Sequence, residues 1–276
     1  MQAAFGAHLA ALPLLAWSGR WPWALGLAAG SHAGLAVLGL WPRSQVLGRT
    51  LVRLPPGEED GRVALTFDDG PDPEVTPALL DLLDRDGARA SFFLIGERAR
   101  AHPGLVREIA RRGHAVENHT LRHLPWFAAL GLGALRREVE GAQAVLAPLA
   151  GRAPQYVRAP AGLRSPLLDP VLTGLGLPHA SWTRRGYDTR CRDPGRVLRR
   201  LLHGLRPGDV LLLHEGNSAR TSAGAPVVLE VVPRLLTALA VRGLRAVPLP
   251  DPAAPCATGA AAGAAGIPAS AARASR

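Results

Sequence analysis

The sequence predicts an α/β fold with parallel strands, and two features of its pattern support this. From about Arg62 onward, short apolar segments alternate with amphipathic segments that are long enough for helices. The first pair is a buried strand at residues 62–67 followed by a helix at residues 76–86. Repeated strand–helix units require parallel strands with the helices outside. This alternation alone fits a closed barrel and an open sheet equally well.

The same pattern predicts the remaining elements in order. We expect further strands at residues 90–95, 114–118, 156–158, 179–182, 210–214 and 244–248. We expect further helices at residues 102–112, 130–149, 165–175, 194–204 and 225–242. Gly113 follows the first of these helices and is a typical C-cap. A chain of 276 residues is long enough for one large domain of this kind.

The first fifty residues differ in composition from the rest. Residues 1–19 contain no acidic or basic side chain apart from His8, and Arg20 separates them from a second apolar run at residues 21–41. Each run is close to the roughly 20 residues that cross a bilayer core. Trp residues stand at the ends of the runs, where indole rings favour the membrane interface. The alternatives are a helical hairpin, one anchor helix or a cleaved signal peptide; we prefer membrane insertion because no basic residue precedes Arg20.

These differences divide the chain into four parts. We expect a hydrophobic membrane-anchoring segment of one or two helices at residues 1–50, a linker at residues 51–61 and one folded domain at residues 62–250. The Ala/Gly/Pro-rich residues 251–276 are typical of a disordered tail. Basic residues flank the second apolar run on both sides, so the positive-inside rule does not decide its orientation.

The charge of the chain does not indicate a nucleic-acid partner. The formal net charge is +10, and all 32 basic residues are Arg, scattered along the chain. Scattered basic residues are typical of a solvated surface, whereas proteins that bind nucleic acids concentrate them in one patch. We therefore expect no nucleic-acid partner, and the sequence indicates no oligomeric state.

Two adjacent carboxylates follow the first predicted strand. Asp68 and Asp69 stand in the run Thr-Phe-Asp-Asp-Gly-Pro at residues 66–71. Neighbouring carboxylates repel each other unless a positive group lies close to both. A metal ion bound by one Asp would remove the repulsion and leave the other Asp free to act as a base. A simple Asp-Gly-Pro turn is the alternative interpretation.

Two histidines follow a later strand at a spacing of four. His119 and His123 enclose the run His-Thr-Leu-Arg-His. This spacing predicts that both imidazoles lie on one face of a helical turn, close enough to bind one cation. Two His and one Asp, with positions left open for water, form a hydrolytic metal site. Together with the paired aspartates, the histidines favour a metal-dependent hydrolase.

Four segments, in their order along the chain, resemble one known family. They are residues 66–71 (TFDDGP), 119–123 (HTLRH), 158–162 (RAPAG) and 211–214 (LLLH). Over residues 62–248 the chain resembles the NodB-type polysaccharide deacetylases, carbohydrate esterase family four. The resemblance implies a distorted (β/α) barrel behind the N-terminal membrane segment. It also implies a metal-dependent hydrolase that removes acetyl groups from N-acetylated sugars of a polysaccharide, peptidoglycan or lipid-linked glycan.

The resemblance implies a role for each matching residue of the metal centre. Asp68 matches the catalytic base, and Asp69 matches a metal ligand that is joined by His119 and His123. We expect one divalent metal ion, zinc, with cobalt, nickel or manganese as alternatives. Arg158 matches an arginine that pairs with the base, where a guanidinium would keep the carboxylate ionised and in place.

Three further matches concern the substrate. His214 matches the general acid that protonates the leaving amine, and Leu212 matches the apolar wall that receives the acetyl methyl group. Ala161 occupies the position whose backbone N–H holds the oxyanion, where many relatives carry an aromatic residue. A backbone donor survives the change to Ala, but a stacking surface for the sugar does not.

The chain departs from the family in one segment. Relatives often carry Asp-x-x-Asp-Trp, whose second Asp tunes the acid histidine. Here Asp188 can fill that role, while Arg185 and Thr189 stand in place of the expected Asp and Trp. The departure bears on substrate preference more than on the type of reaction.

Two other functions fit the same residues. One is an O-acetyl (xylan-type) esterase with the same site, and the other is a catalytically inactive glycan-binding membrane protein. The expected partners are an acetylated glycan and, through the N-terminal segment, a membrane. We expect the chain to be membrane-associated, with its catalytic domain on the extracytoplasmic side in the cell envelope.

Overall fold

The computed structural model describes residues 21–55, 57 and 60–252. Its first element is α1 (Trp21–Leu40), a helix whose large apolar side chains are mostly exposed. Within these described ranges it is the one helix that is long and apolar enough to cross a membrane. The first apolar run at residues 1–19, and residues 253–276 of the expected tail, lie outside the described residues.

The domain that follows alternates strands and helices. Strands β1 to β8 are, in chain order, Thr50–Leu51, Arg62–Gly70, Ser91–Leu94, Ala115–Asn118, His179–Ala180, Arg184–Arg185, Val210–His214 and Arg245–Val247. Helices α2 to α8 are Thr76–Arg85, Gly96–Ala101, Pro103–Arg111, Leu132–Ala150, Leu168–Gly174, Pro194–Leu202 and Val227–Val241. Short 3₁₀ helices lie at Phe127–Ala129 and Pro160–Gly162. The segment expected as a strand at residues 156–158 forms only isolated bridges, at Val157.

The strands form a distorted barrel in which all strand pairs are parallel. Neighbouring strands follow the order β4-β3-β2-β7-β6, with β8 paired against the start of β2. Val157 bridges β4 to β5, and β1 pairs with β5. The segment from His179 to Arg185 pairs with Val157 at one end and with β7 at the other, which closes the ring. The barrel implied by the resemblance is therefore confirmed.

Strand β2 lies in the middle of this order and is buried along almost its whole length. Val63, Leu65 and Phe67 pack into the cluster formed with the surrounding helices. Ala64 belongs instead to a smaller cluster that includes Phe93 and Trp182. Successive side chains of a strand point to opposite faces, so Asp68 shares the side of Ala64. The strand thereby carries a carboxylate into the barrel at its carboxyl end.

The described part of the expected linker at residues 51–61 lies against the domain. Leu51 pairs with β5, and the backbone N–H of Leu54 donates to the Gly208 carbonyl at 2.9 Å. Arg53 Nη1 lies 2.5 Å from Oδ1 of the buried Asp209. These contacts hold the chain close to the barrel immediately after α1.

Candidate active site and metal centre

Polar side chains gather at the carboxyl ends of the strands. Asp68 and Asp69 end β2, and His214 ends β7 directly beside Asp68 in the strand register. His119 follows the last residue of β4, and Arg158 follows the bridge at Val157. In a parallel barrel these ends meet on one face, which is where sites are built. All of these side chains are buried.

Asp69, His119 and His123 form a group that fits one metal ion. Their ligand atoms all lie within 4.8 Å of one another. The Nε2 atoms of His119 and His123 are each 3.2 Å from Asp69 Oδ1. His119 Nδ1 lies 2.8 Å from the Arg158 carbonyl oxygen, which can only accept, so Nδ1 carries the proton and Nε2 keeps its lone pair.

The chemistry of these donors explains why a cation belongs there. Asp69 Oδ1 is buried and has no hydrogen-bond partner among the described residues. A buried carboxylate oxygen facing an imidazole lone pair costs free energy unless a positive ion lies between them. Two imidazole nitrogens and one carboxylate oxygen are a donor set that zinc accepts, with further positions left for water. The three residues therefore fit a hydrolytic divalent metal ion.

The prediction of a helical turn at residues 119–123 was wrong. These residues form no helix, and Thr120 and His123 have positive φ angles of 67° and 53°. Two side-chain hydrogen bonds favour this loop: Asn118 Oδ1 accepts from Thr120 N at 2.8 Å, and Thr120 Oγ1 accepts from His123 N at 3.1 Å. Such local bonds compete with helix formation. The imidazole rings nevertheless meet, with 4.8 Å between their centroids.

Two residues that the sequence analysis missed fix the position of Asp69. Asn217 Nδ2 donates to Asp69 Oδ2 at 3.0 Å, and Arg98 Nη1 donates to the Asp69 backbone carbonyl at 2.6 Å. Arg98 Nη2 also donates to Asn217 Oδ1 at 3.2 Å. Both residues follow the carboxyl end of a strand, β3 for Arg98 and β7 for Asn217, and that position was the available signal.

A buried guanidinium holds Asp68. Arg158 Nη1 donates to Asp68 Oδ1 at 2.6 Å and lies 2.9 Å from Thr66 Oγ1. Its remaining nitrogens donate to the backbone carbonyls of Ala180 and Ser181, and its plane lies 3.9 Å from the centroid of the Phe93 ring. Because Oδ1 is engaged, Asp68 Oδ2 is the oxygen that faces the metal centre, 3.8 Å from His119 Nε2.

Asp188 contacts the other candidate catalytic group. Its Oδ1 lies 3.0 Å from His214 Nδ1, and its Oδ2 accepts from the His214 backbone N–H at 2.7 Å. Burial lowers the pKa of His214, but the charge and hydrogen bond of Asp188 raise it above its ordinary value. Asp188 therefore favours a protonated imidazole and fixes the orientation of the ring.

Glu215, the residue after His214, was also missed. Its side chain is buried against Gly70, where a Cβ would collide with the carboxyl group. Burial raises the pKa of Glu215 to about 8, and Thr76 Oγ1 donates to its Oε2. Burial thus favours the neutral form of this carboxyl group, which lies beside two aspartates.

The remaining expected substrate residues lie in two places. Leu212 is buried inside the barrel, on the same strand face as His214 and two residues before it. Ala161 is exposed at the rim and has a positive φ of 54°. The following Gly162 also has positive φ, and a Cβ there would collide with the Trp182 ring. Only glycine fits at that position, so the loop carrying Ala161 is tightly constrained.

Comparisons with known proteins agree with this architecture. A family model described as polysaccharide deacetylase matches residues 56–180. The chain is 34% identical over 192 residues to the peptidoglycan-N-acetylglucosamine deacetylase of Bacillus cereus, covering 68% of this chain and 67% of that protein. It is 32% identical over 200 residues to the chitooligosaccharide deacetylase of Azorhizobium caulinodans, covering 70% and 95%. A crystal structure of a peptidoglycan N-acetylglucosamine deacetylase superposes with a TM-score of 0.67 at 30% identity, covering 76% and 95%.

Proposed function

Because this chain belongs to the polysaccharide deacetylase family, we propose that it removes acetyl groups from the N-acetylated sugars of a polysaccharide, peptidoglycan or lipid-linked glycan with one divalent metal ion. The observation that carries the proposal is the convergence of three groups at one end of the barrel. They are the ligand cluster around Asp69, the Arg158–Asp68 pair and the Asp188–His214 pair.

Asp69, His119 and His123 would hold the metal ion, for which zinc is our first choice. When bound, such an ion polarises an acetyl carbonyl and makes water acidic enough to attack it near neutral pH. Asn217 holds the Asp69 carboxylate through Oδ2, and Arg98 holds the backbone carbonyl of the same residue. Residues that orient a ligand in this way usually matter for metal affinity.

Asp68 acts as the general base in this proposal. Arg158 donates to its Oδ1 through a charged guanidinium and fixes the orientation of the carboxylate. Asp68 Oδ2 then receives the proton of the attacking water. The fixed orientation matters because proton transfer requires the acceptor within hydrogen-bonding reach of the water.

His214 acts as the general acid on the opposite side. Its Nδ1 is bound to Asp188, which leaves Nε2 to donate a proton to the nitrogen of the breaking amide. After water has added to the acetyl carbonyl, the amine leaves the tetrahedral carbon far more readily once its nitrogen is protonated. Asp188 raises the pKa of His214 against the opposite effect of burial and so favours the protonated imidazole that this step requires.

Two further roles complete the proposal. The backbone N–H of Ala161, in the tight turn after Pro160, would stabilise the negative charge on the acetyl oxygen. Leu212, in the apolar interior next to His214, would receive the acetyl methyl group. We also propose that α1 anchors the chain in a membrane and that the domain lies in the cell envelope, where the peptidoglycan named for the Bacillus cereus relative is found.

The test is acetate release by the zinc-loaded full chain from an N-acetylglucosamine oligomer and from an O-acetylated xylan oligomer. We expect a higher kcat/KM on the amide. His214→Gln should lower kcat on the amide by about 10²-fold and on the ester by less, since an alcohol leaves with less need for a proton. His102→Gln, at the junction of α3 and α4, is the matched control. Faster ester cleavage, with equal effects of His214→Gln on both, would favour the O-acetyl esterase instead.

A further inference from the structure

The end of α1 touches the loop that carries Ala161. The backbone N–H of Arg164 donates to the Gly39 carbonyl at 3.2 Å, and a Cβ at Gly39 would collide with the Arg164 carbonyl oxygen. Pro42 lies against Gly162. If α1 lies in a bilayer, the rim of the active site is therefore at the membrane surface with no spacer between them.

A cavity of about 620 Å³ lies between these two elements, and we call it the helix-end groove. Its walls include Leu40, Trp41, Arg43, Ala161, Arg185 and Tyr187. Ala161 and Tyr187 belong to the active-site rim, since Ala161 is the proposed oxyanion donor and Tyr187 precedes Asp188. One continuous surface thus connects the end of α1 with the site of the reaction.

The α1 side of the helix-end groove is apolar and exposed. Val37, Leu40 and Trp41 have exposed fractions of 62%, 65% and 63%. On a helix that anchors the chain in a bilayer, such side chains contact the hydrocarbon of lipids. Because they stand at the end of α1, they can contact the part of a lipid chain that is nearest to its headgroup.

The opposite side of the groove is strongly basic. Arg43 and Arg185 line the groove and also a second cavity of about 510 Å³ that opens beside it. The second cavity adds Arg196, Arg199 and Arg200. In the part of the chain that the structure describes, no carboxylate oxygen lies within 4.0 Å of the guanidinium nitrogens of these five arginines, although Asp193 is near enough to Arg196 and Arg199 to interact with their charge. Clusters of unpaired arginines recognise phosphate, which accepts hydrogen bonds from their planar N–H groups.

Arg185 is held in place within this cluster. Its guanidinium carbon lies 5.4 Å from the centroid of the Trp182 ring and 5.1 Å from that of Tyr187. Its Nε is buried and has no hydrogen-bond partner among the described residues. Arg43 is fixed at one end by a bond from Nη2 to the Thr183 carbonyl at 2.5 Å. Both cations are thus positioned at the groove without being neutralised.

We propose that the helix-end groove binds the phosphate and the adjoining apolar chain of a membrane lipid, so that the substrate is an N-acetylated sugar linked through phosphate to that lipid. The inference rests on the proposed deacetylase function and adds the class of carrier. An apolar wall, a basic wall and the catalytic rim match a molecule with a hydrocarbon chain, a phosphate and a sugar in that order. A neutral free glycan could stack on Trp41 or Tyr187, but it would leave Leu40 without an apolar partner and the arginine charges without a counter-charge.

The test compares three substrates with the zinc-loaded full chain in detergent micelles. They are N-acetylglucosamine linked through diphosphate to a polyprenol, the same sugar on an uncharged alkyl chain, and a soluble N-acetylglucosamine oligomer. We expect kcat/KM for the phosphate-linked lipid to exceed the other two by at least about tenfold. The double variant Arg43→Gln/Arg185→Gln should lose most of this preference. Arg107→Gln/Arg137→Gln removes the same charge from exposed positions on other helices, where neither arginine has an ion pair among the described residues, and it should keep the preference.

The outcomes separate the inference from the proposed function. Equal kcat/KM on all three substrates, or an unchanged preference in Arg43→Gln/Arg185→Gln, would overturn the inference that the groove binds a lipid phosphate. The released acetate would still support a deacetylase. No acetate from any substrate would overturn both.

A second measurement needs only the unmodified protein. A polyprenyl phosphate without sugar should inhibit cleavage of the alkyl glycoside at concentrations where inorganic phosphate and the free alcohol do not. Equal inhibition by inorganic phosphate would contradict the lipid part of the proposal, and no inhibition by any of them would contradict the whole.

Discussion

Strand β2 passes through two regions that obey different rules. At Val63, Leu65 and Phe67 the strand contributes apolar side chains to the core that it forms with the surrounding helices. At Asp68 and Asp69 the same strand buries two charges, and Asp69 has a positive φ of 69°. The other non-glycine residues with positive φ among the described residues are also at this end of the barrel: Thr120, His123, Ala161, Tyr187 and Asn217.

The core residues of β2 keep the chain folded, whereas the residues at its carboxyl end serve the reaction. Buried charge and left-handed backbone each cost stability, and they persist where the surroundings hold them for a function. Substitutions in the core should therefore lower the free energy of unfolding and leave the chemistry intact. Substitutions at the carboxyl ends should change the chemistry by more than they change stability.

The largest effect is expected for Asp68→Asn. Asn keeps an oxygen for Arg158 but cannot take a proton from water, so kcat should fall by about 10²–10⁴-fold. Acetate release and zinc content are to be measured together, and the zinc content should stay at the wild-type level. Activity within a few-fold of wild type would show that Asp68 is not the base.

The next largest effect is expected for a substitution in the core, and it concerns stability. Leu83 in α2 is fully buried, and Leu83→Ala should lower the free energy of unfolding by about 2–5 kcal/mol through lost burial and a cavity. The kcat of the folded fraction should not change. Leu132→Ala, at the exposed start of α5, is the matched control and should cost less than about 1 kcal/mol. Denaturant unfolding and kcat at low temperature check both variants.

The smallest expected effect is a shift in pH dependence. Asp188 raises the pKa of His214 against the opposite effect of burial. As the general acid, His214 must be protonated, so activity falls as pH rises through its pKa. Asp188→Asn removes this charge and so lowers the pKa of His214, and the falling limb of the kcat–pH profile should move to lower pH.

The control for this shift is Asp86→Asn, an exposed acid at the end of α2, which should leave the profile in place. A limb that stays at the wild-type pH in Asp188→Asn would mean that another group limits the reaction there.

The periodic parts of the chain could be predicted, and the reasons are local. The strand at residues 210–214 and the helix near residues 194–204 recur as β7 and α7 because burial follows simple spacing there. The loop at residues 119–123 could not be predicted in this way. Its path depends on backbone N–H groups that donate to the side chains of Asn118 and Thr120, and these bonds override helical spacing.

Asp68, Asp69, His119 and His123 were found because acidic and histidine residues followed predicted strands. Arg158, His214 and Asp188 were found through the resemblance to the family. Arg98 and Asn217 were missed since each acts on Asp69 from a distant part of the sequence. In the sequence, an arginine on a short helix or an asparagine in a loop looks the same whether it supports a ligand or faces solvent. Only the closure of the barrel brings them to Asp69.

The central claim is that Asp69, His119 and His123 bind one divalent metal ion on which acetate release depends. The most direct measurement is zinc content and acetate release by the same full-chain sample, before chelation, after chelation and after zinc is restored. We predict one zinc per chain, loss of activity on removal and recovery on return, with neither zinc nor activity in His119→Ala. Undiminished acetate release from protein that holds no metal would contradict the account.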